Sequence, residues 1–271
     1  MIDQITNYRD PDLSLYQLNS NYTLLLQIYP ATFSYAIVFE DKLQAWAKDC
    51  ELLVLDDPGS EHELLNYEYK KVVAGLQSTG FTLVPNALYN ENRIADFARF
   101  LDVKPNEKIF AQPLDADNHI IYKVDERVVE TAAIYGLRKT VFINKGWINA
   151  IAGNNPSNQT FYLNIDKEQV DILNFNNSKI RFYNSFSFNN PDELAYYAAL
   201  VAQQLQLQPK DINLVISGDI EETDENASRL SEFFAGVERN YLNVLHFPLE
   251  VTANQLPALA ALSLCVSSEE D

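Results

Sequence analysis

A chain of 271 residues with 47% hydrophobic and 21% charged side chains can bury two ordinary cores, which excludes wholesale disorder. Its 38 acidic and 20 basic residues leave a formal charge of −18, a field that repels phosphate backbones and excludes nucleic acid and anionic membranes as favoured partners. Two cysteines, Cys50 and Cys265, are too few for a disulfide scaffold or a Cys-ligated zinc site.

The sequence opens Met1-Ile2-Asp3-Gln4, with no basic segment leading into an apolar run, so no signal peptide is expected. The longest apolar stretch, Leu256 to Val266, is too short for membrane insertion. A cytoplasmic location is the expectation.

Three strands come first. Tyr22 to Ile28 is nearly continuous apolar sequence, Thr32 to Phe39 alternates through Phe33, Tyr35 and Ile37, and Leu43, Ala45 and Ala47 alternate again. Asp56-Asp57-Pro58-Gly59 reads as a turn. Ser60 and Glu63 then form a capping-box pair, and Leu65, Tyr69, Val72, Val73 and Leu76 predict the stripe of a helix stopped by Gly80. Phe81 to Val84 reads as the fourth strand, and Ile94, Phe97, Ala98 and Leu101 as a second stripe.

The second half repeats this order. Thr160 to Ile165, Val170 to Phe175 and Ile180 to Phe186 are strands. Asn190, Pro191 and Glu193 open a helix as cap, first-turn proline and N3 acid, with Leu194, Tyr197, Ala198, Val201 and Leu205 as its stripe. Ile212 to Ile216 is a buried strand, and a helix carrying Leu230, Phe233 and Phe234 follows. Thr23 to Lys48 lies over Thr160 to Ser185 without a gap at a constant offset of 137, pairing Gln27 with Asn164 and Trp46 with Tyr183. A shared register over 26 positions, followed by the same element order, marks an internal duplication of a β-β-β-α-β-α unit.

The halves differ by an insert of about 35 residues, expected at 104–137, with a hairpin over Ile109–Lys123 and a helix around Val128–Tyr135. The last strands are expected at Thr140–Ile143 and Asn243–Phe247, and terminal helices near Trp147–Ala152 and Ala253–Leu264. Asn154-Asn155-Pro156-Ser157-Asn158 is the natural boundary, giving domains of 1–153 and 159–271.

Two tandem units of this order resemble the actin-like ATPase fold, an α/β architecture of duplicated ribonuclease H-like domains. With its insert, the chain looks most like an uncharacterised bacterial family of that fold, and is distantly similar to actin-like proteins of pilus assembly and type II secretion. The resemblance implies a nucleotide cleft in which two hairpin turns cradle phosphates, each needing an acidic residue for Mg²⁺ and glycines for close N–H approach. The first hairpin here, Gln27-Ile28-Tyr29-Pro30-Ala31-Thr32, has Gln27 at the acidic position, no glycine, and a proline that removes a donor. The second, Asn164-Ile165-Asp166-Lys167-Glu168-Gln169, also lacks glycine, and its Asp166 stands two positions past the register of Gln27. Of the family's nucleoside-binding glycine pair, Ser217-Gly218 keeps one. Gln27, Asp166, Ser217 and Gly218 are therefore the nucleotide-cleft candidates. The implied reading is a degenerate actin-like fold that binds another protein without catalysis or cofactor. The alternative is an ATP- and Mg²⁺-binding protein with an atypical phosphate site.

Other constellations are weaker. Asp166, Glu193 and Asp219 occupy positions a ribonuclease H-like nuclease uses for two-metal chemistry, but turn, capping and strand-end roles explain each. Asp115, Asp117 and His119 imitate a calcium loop, yet Ile120 stands where glycine is required, so a hairpin tip is the simpler reading. His62, His119 and His246 show no ligand spacing, and His246 is expected in a buried strand. As a partner-binding surface, the segment Lys104–Leu137 with Phe110 and Tyr122 is the expectation.

Overall fold

The repeat read in the sequence is realised as two sheets with one hydrogen-bond register. The computed structural model describes residues 7–13, 15–59, 62–137, 140–221, 223–242, 244–251 and 256–265. It divides into two compact units, one comprising Met1–Asn149, Val244–Val251 and Leu259–Asp271, the other Ala150–Asn243 and Thr252–Ala258.

Unit 1 opens with β1 (Asn7–Arg9) and one turn of helix, α1 (Leu18–Asn21), then runs through the meander β2 (Tyr22–Ile28), β3 (Thr32–Phe39) and β4 (Lys42–Glu51) to β5 (Lys71–Leu76). Next come β6 (Gly80–Pro85), α2 (Ile94–Ala98), β7 (Glu107–Pro113), β8 (Asn118–Asp125) and α3 (Glu126–Ala133). The chain returns through β9 (Thr140–Phe142) and α4 (Lys145–Ala152). Six strands make the main sheet, in the order β1-β4-β3-β2-β5-β9, and β6-β8-β7 make a second of three. Leu24, Leu25 and Leu26 are all at 0% exposure, so both faces of β2 are covered, the condition under which strands read as continuous apolar runs.

Unit 2 contains β10 (Thr160–Asp166), β11 (Gln169–Asn176), β12 (Lys179–Ser187), α5 (Pro191–Gln204), β13 (Asn213–Gly218), α6 (Glu225–Phe233) and β14 (Gly236–Arg239). Its sheet runs β12-β11-β10-β13-β14. Leu194, Ala198 and Val201 of α5 and Leu230 of α6 pack on Phe161, Leu163 and Ile172 of the sheet, all fully buried. Asn190 caps α5 by accepting from the Glu193 N–H at 2.9 Å, and Glu193 answers by accepting from the Asn189 N–H at 2.8 Å.

The register is common to both units. Leu24 faces Ile37 and Phe161 faces Asn174; Ala36 faces Trp46 and Leu173 faces Tyr183; Leu24 faces Val72 and Phe161 faces Leu214. The first two correspondences preserve the offset of 137. Even a β-bulge recurs, at Ile37/Val38 and at Asn174/Phe175.

Four expectations are corrected. The stripe from Leu65 to Leu76 is no helix: Glu63–Asn66 is a single 3₁₀ turn, and Lys71–Leu76 is the fourth strand, parallel to β2. Ser60 lies outside the described residues. Phe81 to Val84 belongs to the three-stranded sheet, paired with β8. The last strand of unit 2 is Gly236–Arg239, whereas His246 forms an isolated bridge to Lys42 and its side chain is 77% exposed, with Nδ1 2.9 Å from Asp41 Oδ2. Tyr122 is 1% exposed and cannot meet a partner; with Phe81 it packs edge-on against Phe142, joining the three-stranded sheet to β9.

The hairpin β7–β8 and the helix α3 stand where expected. At the hairpin tip Asp115 Oδ1 accepts from the N–H groups of Asp117 and Asn118, which is a turn and not an ion site. At the opposite, open end of the hairpin Lys123 and Glu107 form a buried ion pair at 2.9 Å. Burial alone would push the Glu107 carboxyl up, but the Lys104 N–H, the Thr79 hydroxyl and the Lys123 ammonium together hold it down at about 2.

Candidate functional site

In each unit the candidate residues sit at the carboxyl ends of the paired strands, where open α/β sheets place ligands. In unit 2 the parallel pair β10/β13 sets Asn164 beside Ser217 and Ile165 beside Gly218, and Asp166 closes the strand opposite Gln169, directly before the hairpin tip. In unit 1 the parallel pair β2/β5 sets Gln27 beside Gly75 and Ile28 beside Leu76. Gln27 and Asn164 are thus counterparts, each a carboxamide and each 7% exposed. Gly75, the counterpart of Ser217, was hidden from sequence reasoning by the helical reading of its segment; the offset itself stops at the meander.

The two hairpin turns are built alike. Each has a two-residue tip, Pro30-Ala31 in unit 1 and Lys167-Glu168 in unit 2. The first is closed by the Tyr29 N–H donating to Thr32 O at 2.9 Å, and the second carries Lys167 at φ 55°. Each tip also accepts one bond from a later segment, from the Leu52 N–H to Ala31 O and from the Phe188 N–H to Glu168 O. In unit 1 the tip therefore offers little to an anion: Pro30 has no N–H, and that of Tyr29 is engaged.

Gly218 has a structural reason to be glycine. Its φ is +92°, and a Cβ added there would lie 1.9 Å from Ile165 O. The next N–H, of Asp219, donates to that same Ile165 O at 2.7 Å. Ser217, 1% exposed, accepts from Asn240 Nδ2 at 3.1 Å, and Asn240 donates its own N–H to Ile216 O. Sequence reasoning gave no signal for Asn240, because its role depends on the return of the chain beside β13. Beyond the strand, Asp224 caps α6: its carboxylate accepts from the Glu221 and Ala227 N–H groups at 3.1 and 2.8 Å. The end of the helix best suited to an anion already holds a carboxylate.

The nuclease constellation is not assembled as chemistry, because Glu193 is turned into the α5 cap. Neither cysteine is activated: burial pushes the Cys50 and Cys265 thiols up to about 11.

Unit 1 has a second feature. A groove of about 310 Å³ runs between α3 and the turn after β4, lined by Leu53, Asp56, Arg127, Glu130 and Ile134 among others. Leu53 and Ile134 are 69% and 57% exposed, an unusual state for large apolar side chains at one locus.

Sheet order, duplication and the strand-end site define the chain as a protein of the actin-like ATPase fold. Among solved structures it is similar to a protein of that fold and unknown function from Bacteroides thetaiotaomicron, at 19% identity and TM-score 0.73 over 90% of this chain and 96% of that one. It is also similar to a chain of the PilM–PilN type IV pilus biogenesis complex (12% identity, TM-score 0.59, 90% and 98% covered). A third similarity is to the cytoplasmic domain of EpsL, an inner membrane component of the Vibrio cholerae type II secretion system (11%, TM-score 0.50, 91% and 96%). Residues 12–237 match the family model described as protein of unknown function, DUF3822, and the chain belongs to that family. No functionally curated protein matches it in sequence. Among the described residues, no helix is long and apolar enough to cross a membrane.

Proposed function

We propose that this chain is a binding protein that uses an actin-like ATPase fold to dock another protein and does not turn over ATP. One observation carries the reading: the backbone at the strand-end site of unit 2 is engaged with the protein itself, with Gly218 fitted against Ile165 O and the α6 terminus closed by Asp224. At either unit's strand end, taken by itself, a phosphate would meet a carboxamide, Gln27 or Asn164, where an acid is needed to organise Mg²⁺; unit 1 adds a proline-bearing turn, and the chain is already at −18. The docking face we assign is the groove of α3, where Leu53 and Ile134 would clasp an apolar side chain of a partner segment and Arg127 and Glu130 its polar flanks. That a similar fold occurs in a complex of PilM with PilN supports a partner-binding role.

Thermal melting with and without Mg-ATP tests the first half. Saturation at 100 times Kd would add about 2.7 kcal/mol and raise the midpoint by several degrees; no shift is expected. Phosphate release that an Asp166→Ala substitution abolishes would establish an ATP-dependent protein instead. For the second half, Leu53→Asp with Ile134→Asp should lose a partner that the unsubstituted chain retains, and equal retention by a folded variant would remove the groove from consideration.

A further inference from the structure

Two of the chain's 8 glycines make room for one segment that the chain reaches only after unit 2. That segment comprises α7 (Pro257–Ala261) and the 3₁₀ turn Leu262–Cys265, and from Leu259 onward it belongs to unit 1. A Cβ added to Gly146, in the first turn of α4, would lie 2.1 Å from Ala261 O and 2.8 Å from Leu262 N. One added to Gly75 on β5 would lie 3.2 Å from a Leu262 methyl group. Any side chain at Gly146 would therefore hold the turn away from α4. Leu259, Ala260, Ala261 and Leu262 are at most 2% exposed.

The seat of this segment lies at the strand-end site of unit 1. The turn packs against β2 and β5, the strands that carry Gln27 and Gly75. Gln27 is the ladder partner of Gly75, so its side chain leaves the sheet on the face that Leu262 covers.

Packing alone holds the segment in place. All six strands of the main sheet come from residues 7–142, so no ladder bond depends on it. Among the described residues, no hydrogen bond joins Leu259–Cys265 to the sheet or to α4; the Ser263 hydroxyl donates within the segment, to Ala260 O at 2.7 Å. A contact of this kind can open locally while the hydrogen-bonded sheet beneath it stays closed.

We propose that Leu259–Cys265 is a latch on unit 1, seating and withdrawing as one piece while the main sheet stays intact. Seated, it shuts the face of β2 and β5 that bears Gln27. Withdrawn, it uncovers that face, so the unit 1 half of the strand-end site is governed by a segment distant in sequence.

The two cysteines provide the test. Cys265 ends the latch and Cys50 lies in the sheet on β4; burial holds both thiols at about 11. A Cys265 thiol released from about 11 to its ordinary 9.0 gains thiolate, and its alkylation at pH 8 should quicken by up to about 100-fold. The assay is iodoacetamide labelling of the full chain, read at each cysteine by mass spectrometry, with hydrogen exchange reporting on β2. Leu262→Asp, which ejects the turn, and Gly146→Ala, which lifts it, should both speed Cys265 and leave Cys50 and the β2 amides unchanged. Leu262→Met keeps the apolar contact and should label as the parent does. If Leu262→Asp does not fold, Gly146→Ala decides alone. Cys265 labelling that stays at the parent rate overturns the proposal. So does Cys50 quickening in step with Cys265, because the segment would then be inseparable from the core.

Discussion

Replacing Gly218 by alanine is the sharpest perturbation the structure offers. The new Cβ would stand 1.9 Å from Ile165 O and 2.9 Å from Ile165 C, with the backbone at φ +92°. An ordinary contact of those atoms is about 3.4 Å, so β10 or β13 must yield by about 1.5 Å. Neither strand can yield alone, because Ile165 is paired with Val170 on one side and Gly218 on the other. Left-handed backbone at a residue with a side chain costs about 1–2 kcal/mol, and losing the Asp219 N–H bond to Ile165 O adds about 1–3 kcal/mol. With displaced core packing the total is about 3–6 kcal/mol, against about 5–15 kcal/mol for a whole domain. For a unit of about 100 residues this lowers the midpoint by at least about 12 °C. Calorimetry, which can resolve two units melting separately, is the assay. The control is Gly236→Ala, whose Cβ would come no closer than 3.2 Å to Asn213 Oδ1 and should shift melting far less. A Gly218→Ala protein melting within about 3 °C of the parent in the absence of ligand would refute the packing account and return Gly218 to a ligand-binding role.

Two further perturbations bear on the fold. Glu107→Gln strips the partner from a buried Lys123 and should cost about 3–5 kcal/mol at neutral pH. Because the folded carboxyl titrates at about 2 and not at its ordinary 4.5, the stability it contributes is present above pH 4.5 and lost as pH falls toward 2; the variant's urea midpoint should be flatter across that window, and parallel profiles would dismiss the pair. Asn190→Ala frees the Glu193 N–H at the start of α5 and should cost about 1 kcal/mol in urea denaturation, with an unchanged midpoint arguing that Pro191 alone sets the helix start.

Sequence alone determined the duplication and the strand-end positions of the candidate residues. The offset linking Thr23–Lys48 to Thr160–Ser185 is a statement about side-chain periodicity and turn spacing, and along three consecutive strands the two together give both meanders the same pairing register. Gln27, Asn164 and Asp166 follow from that register, and Ser217 and Gly218 from the end of the buried run Ile212 to Ile216. Local signals also held where they are self-contained: the Asn190-Pro191-Glu193 helix start and the β7–β8 hairpin involve only neighbours in the chain. Tertiary structure decided what local signals leave degenerate. Val72 and Val73 fit a helical stripe and a buried strand equally well over six residues, and the slot beside β2 made them a strand. Phe81 to Val84 lost the fourth position because that slot was filled, and paired with β8. His246 and Asn240 owe their surroundings to segments more than 20 residues away in sequence, Asp41 and Ser217. The identity of Gly218 was visible in the sequence, but its reason was not: only the folded strands bring the Ile165 carbonyl to where a side chain would have stood.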